Sequence, residues 1–123
     1  RIVNKCDREN LGSCINLFHW MRTDPEGDLD ALVREAMPHL FLLTINGTSA
    51  DGSYLTLDQG PEHSYRFLKP FLSAGYEGPI GLQCVGIRGD ARVNLERSME
   101  AWRAMSSSLK KQLPPGGRRH RGG

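Results

Sequence analysis

Apolar positions along this chain fall into two kinds of run. Three are short and unbroken enough to be strands: Ser13 to Phe18, Leu40 to Ile45, and Ile80 to Val85. The second, Leu-Phe-Leu-Leu-Thr-Ile, is the strongest, and runs of this kind suit strands of a parallel sheet covered by helices. Between and after them, apolar residues recur at helical spacing. Asp28 can cap a helix from Leu29 to about Met37, with Leu29, Leu32, Val33 and Ala36 on one face and Pro38 as its stop. Pro61 and Glu62 open a second helix, whose face is Tyr65, Leu68 and Leu72 or Phe67 and Phe71; Pro70 interrupts it and Gly75 ends it. Asp90 caps a third, with Val93, Leu95, Met99 and Trp102 as its apolar contacts. Residues 1 to 10 read as a helix end running into a turn, and Asn46 to Gly60 as a long polar loop of the length that often carries function.

The order is strand, helix, strand, helix, strand, helix, and each helix is long enough for a right-handed crossover between parallel neighbours. The expected class is therefore α/β. Three βα units do not close a barrel, which takes eight strands and about 250 residues. The expected architecture is the C-terminal three βα units of a (β/α)8 TIM barrel over residues 1 to 105, with the remainder of the barrel required. A chain that starts at Arg1 without methionine fits that expectation and leaves open whether a signal peptide precedes it. An isolated piece would expose one strand edge and inner-face side chains such as Phe41 and Leu43, and is expected to be unstable or to aggregate.

Charge sharpens this picture at one end. Of 16 basic residues, Lys110, Lys111, Arg118, Arg119 and Arg121 fall within residues 106 to 123, which hold no acid. The body keeps 11 bases against all 14 acids and is net acidic, so it offers no basic face for nucleic acid. Residues 106 to 123, with three serines, Pro-Pro-Gly-Gly and the basic end, are expected to be a disordered basic tail, solvated rather than bound to nucleic acid or an acidic partner. Cys6, Cys14 and Cys84 have no metal-like spacing, and Cys14 and Cys84 lie in apolar runs. They read as buried reduced thiols, which points to a cytoplasmic setting. No stretch approaches the ~20 apolar residues of a membrane span.

Polar residues gather where the strands end, and in α/β folds that edge is where ligands bind. Asn16 and His19 follow the first strand, Thr44 and Asn46 close the second, and Gln83 lies on the third. Carboxamides from three strands suit a ligand rich in hydroxyls, such as a sugar, although each also fits a neighbouring loop backbone. His19 can act as a general acid or base, and beside Trp20 it fits a hydrogen-bonded structural residue equally well. Gly86-Ile-Arg-Gly-Asp90 places backbone N–H groups at a helix start, where an anion such as a sugar phosphate could bind with Arg88. His39, at the foot of its strand, reads as structural.

With these residues in view, the chain resembles the C-terminal part of xylose-isomerase-like TIM-barrel proteins, the sugar phosphate isomerase/epimerase superfamily. The resemblance covers about residues 5 to 105. It rests on Asn16-Leu-Phe-His-Trp20, Leu40-Phe-Leu-Leu-Thr-Ile-Asn-Gly47, Gly75-Tyr-Glu-Gly-Pro-Ile-Gly-Leu-Gln83 and the helix from Asp90 to Trp102. It implies that the three strands are the sixth, seventh and eighth of the barrel. It also implies a divalent metal held by an aspartate, a histidine and two glutamates, with the two glutamates shuttling a proton and the earlier of them lying outside this chain. Asn16 stands at the aspartate position, Thr44 or Asn46 at the histidine position and Gln83 at that of the last glutamate, so the usual metal ligands are replaced. His19 stands where such proteins often carry a substrate-binding histidine.

Two functions follow from these expectations. One is a sugar or sugar phosphate isomerase or epimerase in which His19 moves a proton. The other is a non-catalytic carbohydrate-binding barrel in which Asn16, Thr44, Asn46, Gln83 and Arg88 hold hydroxyls or a phosphate. An AP-endonuclease-type repair enzyme, the third protein of this shape considered, needs a His/Asp/Glu metal cluster that these strand ends lack.

Overall fold

A computed structural model describes residues 2 to 49 and 51 to 113. The chain runs α1 (Ile2–Cys6), β1 (Ser13–Asn16), α2 (Leu17–Thr23) and α3 (Leu29–Ala36), then a 3-10 turn (Met37–His39) into β2 (Leu40–Ile45). A small hairpin of β3 (Gly47–Thr48) and β4 (Tyr54–Leu55) leads to α4 (Pro61–Ser73), β5 (Ile80–Leu82) and α5 (Ala91–Gln112). The fold is α/β. Strands β1, β2 and β5 form one parallel sheet in that order, with Asn16 opposite Thr44 and Thr44 opposite Gly81.

Alternation along β2 divides the sheet into two faces. Leu43 and Ile45 are buried and join a core built from Leu17 and Trp20 of α2, Val33 of α3, Phe67, Leu68 and Phe71 of α4, and Met105 and Leu109 of α5. All the long helices thus share one core on one side of the sheet. The opposite face carries Leu42 and Thr44. A Cβ added to Gly81 would lie 3.3 Å from the Thr44 methyl and 3.7 Å from Leu42 Cδ1, so Gly81 belongs to that face too. Leu43 is therefore wholly buried on the helix side, against the expectation that it would lose its partners, whereas Phe41 is 49 % exposed.

Local signals explain most element ends. Asp28 and Asp90 cap α3 and α5 as expected, accepting from Ala31 N (3.0 Å) and from Arg92 N (2.8 Å) and Val93 N (3.2 Å) respectively. α4 continues through Pro70, and Gly75, at φ +95°, ends it in a Schellman motif with Gly75 N donating to Leu72 O and Tyr76 N to Phe71 O. The buried Tyr76 then anchors the next strand by donating its hydroxyl to Pro79 O at 2.6 Å.

Five expectations are corrected. The first strand stops at Asn16, because Asn16 is itself a helix cap and the apolar run passes straight into α2. Residues 106 to 112 are not tail but the end of α5, held down by the buried Met105 and Leu109, while residues 114 to 123 lie outside the described residues. The packed stripe of α5 is Ser98, Ala101, Trp102, Met105 and Leu109, spaced by three and four; Val93, Leu95 and Met99 are exposed. The third strand likewise ends at Leu82, and Cys14 and Cys84 are exposed rather than buried, as is Cys6.

The segment from Asn46 to Gly60, expected to be a long polar loop, instead holds the β3–β4 hairpin and is tied to α5. Ser98 Oγ accepts from the buried Leu57 N at 3.1 Å, and Arg97 donates to Asp58 Oδ2 at 2.6 Å. Burial pushes the Asp58 carboxyl up, yet hydrogen bonds from Thr56 and Arg97 outweigh it and hold the group below its ordinary value.

Tyr76 gives the fold an alkaline limit. Burial raises its phenol above the ordinary value of 10.0, against the opposing pull of the Leu43 amide. A group whose folded value is raised contributes fully below its unfolded value and loses that contribution as pH rises through the folded one. Stability should thus hold up to about pH 10 and fall above it. Urea midpoints of wild type and Tyr76→Phe, compared across that range, should show a steeper alkaline fall in the wild type. Parallel profiles would contradict this.

Candidate functional site

Asn16 occupies the turn between β1 and α2 and performs two local tasks. Its Oδ1 accepts from His19 N at 3.1 Å, capping α2, and its Nδ2 donates to Thr44 Oγ1 at 2.6 Å, tying β1 to β2. A carboxamide has two acceptor and two donor positions, so each end keeps one for a ligand. Next to this pair opens a cleft of about 630 Å³, lined by Asn16, His19, Thr44 and Gln83 together. Ile15, Trp20 and Leu32 form an apolar wall, and Cys14 and Thr23 also reach it. Four of the residues singled out from the sequence thus meet in one concavity.

Each is presented by a specific local feature. His19 is the third residue of α2, exposed, with its ring set edge-on against Phe18 at 5.8 Å. Phe18 in turn stacks on Tyr54 of the hairpin at 4.2 Å, and the Arg22 guanidinium lies 5.4 Å from the Phe18 ring centre. Gln83 follows β5 and donates its backbone N–H to Ile45 O at 2.9 Å, leaving the half-buried side chain at the cleft. Gly81, opposite Thr44, keeps the floor of the inner face low, since any side chain there would press on the Thr44 methyl.

Two expected site residues lie elsewhere. Asn46 is fully buried and does not line the cleft; its Nδ2 donates to Gly47 O (2.7 Å) and Thr48 Oγ1 (3.3 Å), and its backbone carbonyl accepts from Ser64 Oγ (3.3 Å). Its Oδ1 is buried without a hydrogen-bond partner among the described residues. Arg88 is exposed in the loop before α5, where its carbonyl accepts from Asn94 Nδ2 at 3.0 Å, and it does not reach the cleft either. At the start of α5, the N–H groups of Arg92 and Val93, which could have met an anion, donate to the Asp90 carboxylate. His39 is structural as expected, its Nε2 3.0 Å from Asp7 Oδ1.

Asp24 and Asp28 also line the cleft, and sequence reasoning missed both. Asp28 was legible only as a helix cap and Asp24 only as part of a Pro/Gly turn. Their shared wall depends on how α2 and α3 flank β1, which no local pattern announces.

The metal that the family resemblance implies does not fit this donor set. The strand-end positions carry two amides and a hydroxyl, poor ligands beside carboxylate and imidazole, and no group of three or more His, Cys, Asp or Glu among the described residues could hold an ion. What the cleft offers is hydrogen-bonding groups on Asn16, Thr44 and Gln83, the imidazole of His19, and the carboxylates of Asp24 and Asp28. No family model, curated protein or solved structure matches the chain. No helix among the described residues is long and apolar enough to cross a membrane.

Proposed function

We propose that this chain is a carbohydrate-binding portion of a (β/α)8 TIM-type barrel, and that the cleft holds a polyhydroxylated small molecule. The observation that carries the reading is the meeting of Asn16, Thr44 and Gln83 at one concave end of the sheet, each a neutral group able both to donate and to accept. Strands paired in chain order, with all long helices sharing one core on a single face, support the barrel. The remainder of such a barrel would cover the open edges of β1 and β5. Three exposed free thiols favour a reducing, cytoplasmic setting.

Titrating the full chain with D-xylose, D-fructose and D-glucose while following its melting temperature tests the binding. Saturable stabilisation is expected. Gln83→Leu should weaken it roughly 2–10-fold, the worth of one or two neutral hydrogen bonds. No stabilisation by any of the three sugars would end this reading.

A sugar isomerase or epimerase is the second reading, favoured by the exposed imidazole of His19 in the same cleft as Asp24. His19 would take a proton from a carbon next to the sugar carbonyl and return it. Gln83 cannot share that task, since an amide is not a base at ordinary pH. Solvent deuterium entering a bound ketose, and lost in His19→Ala, would support it; a sugar that binds without exchange leaves the chain as a binding module.

A further inference from the structure

The two carboxylates on the cleft wall bear on which carbohydrates could enter. Asp28 uses one oxygen to cap Ala31 N, and Asp24 folds its carboxylate back over its own turn beside Gly27. Neither forms an ion pair with lysine or arginine among the described residues, and no lysine or arginine lines the cleft. The guanidinium groups nearby are committed elsewhere. Arg66 donates to Pro25 O at 2.9 Å with its charge 5.2 Å from the Trp20 ring centre, and Arg22 lies over Phe18. His19 is the one lining group whose side chain can carry positive charge, and no lysine or arginine lies beside it on the cleft wall. At the start of α5, away from the cleft, Asp90 takes the N–H groups of Arg92 and Val93.

A phosphorylated sugar entering this cleft would face two negative charges and no fixed positive one. Asp24 and Asp28 are exposed, so their charges are partly screened, but a like charge brought beside them is still repelled with no counter-ion on the cleft wall, whereas an ammonium group would be drawn in. We infer that the ligand is a neutral or amine-bearing carbohydrate, not a sugar phosphate, with Asp24 and Asp28 as the residues that set this preference. The inference rests on the carbohydrate reading given above and narrows its substrate class.

Chemical-shift titration of the full 15N-labelled chain at about pH 7, where a sugar amine of ordinary pKa is mostly protonated, separates the possibilities. The probes are D-glucose, D-glucosamine and D-glucose 6-phosphate, read at the amides of Asn16, Thr44 and Gln83. Glucosamine should bind roughly fivefold more tightly than glucose, and glucose 6-phosphate about tenfold more weakly, with both differences shrinking at high salt. In Asp24→Asn/Asp28→Asn, where asparagine still caps α3, the glucosamine-to-glucose ratio should fall to about one. Tightest binding by glucose 6-phosphate, or equal binding of all three, would overturn the charge argument and leave the carbohydrate cleft standing. No shift at these amides with any of the three would overturn both.

Discussion

Replacing Phe67 by alanine is expected to remove about 3–5 kcal/mol of stability, the usual cost of emptying a buried aromatic site. Phe67 is 0 % exposed and lies where the helices meet, its ring 5.8 Å from that of Trp20 and 5.3 Å from that of Phe71. Removing it leaves a cavity shared by α2 and α4, and neither helix can close it without losing its place on the sheet. Because domains have only about 5–15 kcal/mol to lose, the variant should melt at a much lower urea concentration, or fail to fold cooperatively. Phe67→Leu, which keeps most of the apolar volume, should recover much of the loss. A midpoint unchanged in Phe67→Ala would mean that the core is not organised around these rings.

The second large effect belongs to the hairpin. A Cβ on Gly47 would lie 1.8 Å from Thr56 O, 2.6 Å from the Thr56 carbonyl carbon and 2.9 Å from Gln59 O. All three are backbone atoms, so no side chain can swing aside. Gly47→Ala must therefore force β3 away from the segment that follows β4, and the cost should exceed the ~1–3 kcal/mol typical of overpacking by a methyl group. Denaturant unfolding of Gly47→Ala beside Gly52→Ala makes the contrast: Gly52 has open space around it, so its substitution carries only the backbone penalty of its φ of +82°. Equal losses in the two variants would contradict the close-approach argument.

Periodicity and caps made much of this fold legible from residues alone. Leu40–Ile45 was readable as the strongest strand because its run is nearly all apolar, and Asp28, Asp90, Pro61 and Gly75 marked helix ends through chemistry that acts within a few residues. The failures have a common physical origin. Asn16 ends its strand because its side chain finds His19 N, a choice between cap and strand that the apolar run around it conceals. The packed face of α5 was misread because Val93, Leu95 and Met99 outrank Ser98 in hydrophobicity, while the structure buries Ser98 to satisfy the amide of Leu57, 41 residues away. Met105 and Leu109 looked like the edge of a tail because three serines separate them, though their spacing of four keeps them on one face.

The site was legible to the extent that it is made of strand ends. Asn16, Thr44 and Gln83 could be grouped because parallel strands deliver their ends to one edge, and His19 followed from its distance to Asn16. Asn46 was grouped with them on the same logic, but the chain turns into the hairpin there and carries it inward. Asp24 and Asp28 belong to segments whose placement is a matter of how helices pack, and proximity of that kind is not written in local spacing.

The bond from Asn16 to Thr44 also bears on how this cleft could change its chemistry. An amide and a carboxylate differ in shape by little more than the exchange of one nitrogen for one oxygen. A threonine hydroxyl that accepts from the amide can turn about its own C–O bond and donate to a carboxylate in the same place, while the capping oxygen continues to receive the amide of His19. The floor of the cleft is therefore a reversible frame. One substitution at Asn16 and one at Gln83 would add two negative charges to those of Asp24 and Asp28 without asking the backbone to move, and a floor of neutral amides stands two atoms from one that could hold a cation.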